Sequence, residues 1–254
     1  VKPFERFTDR AQDYAVARPS YPPEAIDALF EGLGDPAALT VVDLGAGTGI
    51  SSRLLAARGA ATIAIEPNAS MRERSTTALN LRWQDGSAEQ TGLAGESADL
   101  VAAFQAFHWF DHAAALREIA RILRPGGRLG VVYNERDESD AFTAAYGELV
   151  RRYATDETER RRSDGREAIA SLRPDRGWQN ARAVEIRNSQ SLDRAGMHAR
   201  ARSTSYLPVH GTAADELHAA IDTIFGRYQK EGMVLMALKT IVSLAELHAV
   251  DHLP

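Results

Sequence analysis

Cysteine is absent from this chain. That excludes a disulfide framework and a thiolate zinc site. The seven histidines are scattered and show no close ligand spacing, so no catalytic metal is expected. No run of about 18 apolar residues occurs, so no transmembrane helix is expected. The opening segment, Val1-Lys2-Pro3-Phe4-Glu5-Arg6, is charged and has neither an initiator Met nor the apolar core of a signal peptide; the plain expectation is a cytoplasmic protein. An excess of positive charge is missing too. The net charge is −5, which gives no electrostatic support to a nucleic-acid partner. A small-molecule partner is the default. Hydrophobic residues at 44% and charged residues at 26% are ordinary for a globular protein.

What is present changes character along the chain. Residues 4–18 carry apolar side chains at loose helical spacing, until Arg18-Pro19-Ser20-Tyr21-Pro22-Pro23 breaks the pattern. Proline disfavours helix at the preceding residue, and Pro23 is placed to open a helix over 23–32. From residue 40, short β-branched runs alternate with helical segments. Strands are expected at 40–44, 61–65, 81–84, 98–104 and 128–133, with helices at 50–58, 69–78 and 111–123 between them. This alternation implies a parallel sheet covered on both faces. After residue 136 the signal weakens. The Arg/Asp/Glu-dense run 151–166 reads as a solvated helix or a loop, and 183–186 as a strand. Residues 233–247 read as a last strand running into a final helix, although periodicity alone does not separate the two there.

The sharpest signal is Asp43-Leu44-Gly45-Ala46-Gly47-Thr48-Gly49, lying between a strand and a helix. Glycines permit positive φ and close approach of the backbone to a ligand. Ligands of open parallel sheets sit beyond the carboxyl ends of the strands. The second strand ends in Glu66, whose carboxylate can accept hydrogen bonds from both hydroxyls of a ribose. A dinucleotide fingerprint requires Gly-x-Gly-x-x-Gly; here Ile50 occupies the third glycine position, where it would crowd a pyrophosphate. Asp43 repels phosphates and suits a cationic amino-acid tail.

These residues resemble the class I S-adenosylmethionine-dependent methyltransferases (methyltransferase type 11-like) over about residues 36–136. The resemblance implies an α/β, Rossmann-like, seven-stranded sheet. That sheet is mostly parallel with an antiparallel last strand and has helices on both faces. It further implies an N-terminal helical cap or lid over 1–35, a cofactor-binding core over 36–136, and a helical insertion with closing strands over 137–254, all in one domain. The implied cofactor is S-adenosylmethionine, leaving as S-adenosylhomocysteine, with no metal. Its site residues would be Asp43, Gly45, Ala46, Gly47 and Gly49 on the loop, then Glu66, Pro67 and Met71 after the second strand. Ser87 stands where the family has an Asp that bonds adenine, with Ala88 beside it and Asp85 as the alternative partner. The backbone at Gln105 and Ala106 would hold the methionyl amine.

A narrower resemblance joins Tyr14 and Arg18-Pro19-Ser20-Tyr21-Pro22 to Gln105-Ala106-Phe107-His108-Trp109-Phe110, Asn134-Glu135-Arg136-Asp137 and Ser203-Thr204-Ser205-Tyr206-Leu207. These look like a small-molecule subgroup that includes the trans-aconitate methyltransferase-like proteins. The implied acceptor is a small molecule methylated at a carboxylate or hydroxyl. Tyr14, Arg18 and Tyr21 would form a lid, and His108, Trp109, Arg136, Arg202 and Tyr206 would face the acceptor. His108 and Glu135 are the candidate bases. Arg18, Arg136 and Arg202 could grip an anion. A monomer or homodimer without nucleic-acid or membrane partners is expected. The rival readings are a methyltransferase-fold protein that binds without catalysing and, more remotely, an NAD-type oxidoreductase.

Overall fold

The computed structural model describes residues 18–155, 169, 172 and 177–248. The helix expected over 4–18, with Tyr14, and most of the charged run 151–166 lie outside these residues.

Seven strands form one sheet in the order β3-β2-β1-β4-β5-β7-β6. They are β1 (Thr40–Leu44), β2 (Ala61–Ile65), β3 (Leu81–Gln84), β4 (Ala98–Phe104), β5 (Leu123–Arg136), β6 (Trp178–Leu192) and β7 (Val234–Leu247). The first five pair in parallel. β7 runs antiparallel to both β5 and β6. The helices are α1 (Pro23–Phe30), α2 (Ile50–Ala56), α3 (Ala69–Glu73), α4 (His112–Ile122), α5 (Ala141–Tyr153), α6 (Arg194–Arg202) and α7 (Thr212–Tyr228). This is the Rossmann-like sheet that the sequence resemblance implied.

Strand periodicity sorts the core into two layers. Val42, Leu44, Val101, Ala103, Leu129 and Val131 pack with Ala115, Ile119 and Ile122 of α4. Their neighbours in the chain, Val41, Leu100, Ala102 and Val132, face the other way, onto Ala25, Ile26 and Leu29 of α1 and Leu55 of α2. A third cluster lies beyond these layers, where α5, α6 and α7 close over Leu192, Val234, Met236 and Leu238 at the far ends of β6 and β7.

Several boundaries differ from the sequence expectation, among them the strand expected at 183–186, which spans Trp178–Leu192. Residues 124–127, left between the expected helix 111–123 and strand 128–133, form an irregularity inside β5: Leu123 already pairs with Ala98, and regular pairing resumes at Arg128 opposite Leu100. Residues 234–247 are strand throughout, with no final helix. β5 and β6 flank this segment on both sides, and the hydrogen bonds they supply override its ambiguous local pattern. Helix α3 stops at Glu73 rather than 78. Its Asn68 cap accepts from Met71 N at 3.3 Å, and Met71 is its only buried side chain. A helix with so little to bury has no reason to continue.

Candidate cofactor and acceptor site

The loop between β1 and α2 is set by its glycines. Gly45, Gly47 and Gly49 have φ of 67°, 58° and 80°, in the left-handed region that other L-residues rarely adopt. Gly45 is constrained further by space, since a Cβ there would lie 2.8 Å from the Cβ of Ala106. At Gly49 it would lie 2.6 Å from the Trp83 ring. Gly45 N and Ala46 N donate to the Ile65 carbonyl at 2.9 and 3.1 Å. The loop is thus tied to the carboxyl end of β2.

Two buried carboxylates sit beneath it. Glu66 Oε2 accepts from Gly47 N at 2.8 Å and Oε1 from Asn68 N at 2.8 Å. Burial pushes its pKa up, against the pull of these two N–H groups. Asp43 is fully buried, and its Oδ2 accepts from the hydroxyls of Ser51 (2.7 Å) and Ser52 (2.6 Å). Burial raises its pKa to about 6, opposed by those hydroxyls and reinforced by the nearby Glu66. Asp43 Oδ1 and the hydroxyl of Thr48 are buried with no hydrogen-bond partner among the described residues. Such orphaned groups are costly unless something satisfies them. An acidic cradle with unspent acceptors suits the cationic, hydroxyl-rich S-adenosylmethionine implied by the sequence.

A cleft of about 750 Å3, including its mouth, opens beside the loop. Gly45, Ala46, Thr48, Ile50 and Ser51 make one wall, and Phe104 and Gln105 at the end of β4 make its floor. Gln105 has φ of 54°, a strained value for a residue with a side chain. Its Nε2 donates to the Asn134 carbonyl at 2.9 Å. Asn134 also holds the entry segment: its Nδ2 donates to the Ser20 carbonyl at 3.2 Å, and Asn188 donates to the same oxygen at 3.0 Å. This pinning brings Arg18, Pro19 and Tyr21 to the cleft, with Tyr21 edge-on to Phe104 at 4.8 Å.

Residues 42–131 match the family model described as a methyltransferase domain. The chain is 45% identical over 140 residues to an uncharacterized methyltransferase of Mycobacterium tuberculosis, covering 55% of this chain and 56% of that protein. The match thus spans about half that relative's length. An uncharacterized methyltransferase-like protein of Schizosaccharomyces pombe is 28% identical over 94% of each chain. The solved structure of a putative type II methyltransferase from Anaeromyxobacter dehalogenans superposes with a TM-score of 0.60. It is 23% identical and covers 91% of this chain and 97% of its own, a likeness that bears on the fold. Residues 42–131 are thus similar to a methyltransferase domain.

Residues 42–131 supply only part of the cleft. The rest of the lining comes from Tyr146 and Val150 of α5, Arg200 of α6, and Thr204 and Tyr206 just beyond it, with Asn134 and Arg136 at the end of β5. Among the sequence candidates, the lining includes Gly45, Ala46, Gln105, Arg18, Tyr21, Arg136 and Tyr206. It does not include Trp109, His108, Glu135 or Arg202. His108 is turned toward Tyr133, whose hydroxyl lies 3.0 Å from the His108 backbone N and 3.2 Å from its Nδ1. Glu135 stands between Asn134 and Arg136 on β5, so strand alternation directs it to the other face.

The expected adenosyl contacts lie below and beside the loop. Met71 and Ala88 are buried, Pro67 and Ser87 partly so. Asp85 is exposed and paired with Arg72 at 2.8 Å. Tyr146, Val150 and Arg200 had no role in the sequence reading. They lie outside the segments 134–137 and 203–207 that the resemblance singled out, and the packing of α5 and α6 brings them to the cleft.

Proposed function

We propose that the chain transfers a methyl group from S-adenosylmethionine to an oxygen, carboxylate or hydroxyl, of a small molecule. The observation that carries this reading is one cleft that joins the glycine loop of the methyltransferase domain to a polar wall built from outside it. When bound, the cofactor would supply an electrophilic methyl group on a sulfonium, whose departing sulfur would be a good leaving group. The protein's part is mainly alignment and exclusion of water, and positioning of this kind contributes up to about 7–11 kcal/mol.

In this reading Asp43, Glu66, Pro67, Met71, Ser87 and Ala88 hold the cofactor with the loop glycines, Gln105 and Ala106. The entry segment with Arg18 and Tyr21 covers it. His108 and Glu135 remain the proposed proton acceptors for a hydroxyl substrate. Their positions outside the cleft lining favour an acceptor that reacts without a base. The likeness to the trans-aconitate methyltransferase-like subgroup belongs to the same proposal, supported by the entry motif and Asn134 meeting at the Ser20 carbonyl. So does action as a monomer or homodimer in the cytoplasm. No helix among the described residues is long and apolar enough to cross a membrane.

Calorimetric titration with S-adenosylmethionine, S-adenosylhomocysteine and NAD tests the core of this. Both adenosyl compounds are expected to bind and NAD not to. Absence of heat with both would sink the proposal.

A further inference from the structure

Resting on that reading, we infer that the acceptor carries an anionic group, anchored by Arg136, Arg200 and the hydroxyl of Tyr146, which line the same cleft as the glycine loop. Tyr146 is 2% exposed and lines the cleft, yet its hydroxyl has no hydrogen-bond partner among the described residues. A buried hydroxyl in that state awaits a ligand, because leaving it unpaired costs free energy that nothing else in the site returns.

Among the described residues that line the cleft, the charged side chains are Arg18, Arg136 and Arg200, with no Asp or Glu, although the whole chain is acidic at −5. Arg200 acts on Tyr146 most strongly of the three, then Arg136, and Arg18 least. Burial nevertheless keeps the phenol protonated, so it serves as a donor rather than a second anion. Existing contacts aim two of these cations. Arg200 donates to Gln190 Oε1 at 2.6 Å, and Arg18 to the Ser203 carbonyl at 2.8 Å. Arg136 lies 3.5 Å from Glu138, a carboxylate already engaged by Arg151 at 2.7 Å. Guanidinium forks and one phenolic donor recognise a carboxylate or a phosphate.

The cofactor's own carboxylate is the other possible source of this anion. Arg18, held on the Ser203 carbonyl, lines the same cleft, so the test separates the two sources.

The test titrates succinate, inorganic phosphate and neutral succinamide into the full chain at constant ionic strength, with and without saturating S-adenosylhomocysteine. Succinate or phosphate is expected to bind the saturated protein, and succinamide not to. Arg200→Gln and Tyr146→Phe are each expected to weaken that binding at least roughly tenfold, while S-adenosylhomocysteine affinity stays within about twofold. The retained affinity also shows that the variants fold. Anion binding only in the absence of S-adenosylhomocysteine would assign the arginines to the cofactor and overturn the inference. So would equal binding of succinamide, or no anion binding at all. Failure of S-adenosylhomocysteine itself to bind would instead strike the proposed activity.

Discussion

Asp43 shows how one residue can serve a site at the fold's expense. Its folded-state pKa of about 6 lies above the ordinary 3.8. The folded protein therefore binds more protons than the unfolded chain between these values, and stability falls as pH rises through that window. A shift of this size corresponds to roughly 2–3 kcal/mol at neutral pH. Asp43→Asn keeps the size and an oxygen acceptor for Ser51 and Ser52 but removes the charge. Urea denaturation is expected to show the variant more stable than the parent at pH 7.5, with the gap closing as pH falls from about 6 toward 4. Calorimetry on the same variant is expected to show S-adenosylmethionine affinity at least roughly tenfold lower. A variant less stable at pH 7.5, with the deficit unchanged at low pH, would mean that Asp43 is held ionised at no cost. Asp43, Glu66 and the three glycines were legible in the sequence because their chemistry is local, in spacing, turn type and strand ends. What was not legible is that Asp43 spends one oxygen on the first turn of α2.

Helix α6 illustrates why the acceptor wall was harder to read. The sequence pointed to Arg202 as a cation for the substrate, and the structure puts Arg200 in the cleft. Two residues along an α-helix are about 200° apart, so the two side chains leave opposite faces. Arg202 acts instead on His218 of α7. The helix has a weak apolar pattern, with Met197, Ala199 and Ala201 as its buried residues, and no motif fixes its rotation. Contacts across the fold do so: Arg194 makes two bonds to Asp222 of α7, at 2.7 and 2.6 Å, and His198 adds a third at 2.8 Å. With any acceptor found by screening labelled methyl transfer, Arg200→Gln is expected to lower kcat/KM at least roughly tenfold more than Arg202→Gln. Equal losses would argue that both faces of α6 reach the substrate. The same limit of local pattern applied to β7, which periodicity left between strand and helix until its neighbours were known.

Across the whole molecule, Arg128 clasps segments distant in sequence. It is 3% exposed, donates to the carbonyls of Leu29 and Glu31 at the end of α1, and pairs with Glu246 of β7 at 2.8 Å. Glu246 also accepts from Asn180 at the start of β6. Arg128→Met would leave these carbonyls and the carboxylate without their shared cation. A loss of about 3 kcal/mol is expected, read as a lower urea midpoint with unchanged slope. A loss below about 0.5 kcal/mol would show the clasp to be an ordinary surface pair. The alternating units of residues 40–136 made the parallel half of the sheet readable, whereas the clasp and the closing strands depend on partners a hundred residues away.

The position of β7 between β5 and β6 also orders the birth of the protein. During synthesis the parallel half emerges first, ending in β5. β6 follows before β7, its one strand partner among the described residues, has been made. Until β7 leaves the ribosome, β5 presents an open edge along Leu129 to Arg136, the kind of edge to which other chains add themselves. The nascent protein therefore passes through a period of vulnerability whose length is the time needed to translate residues 137–247, from α5 through β7.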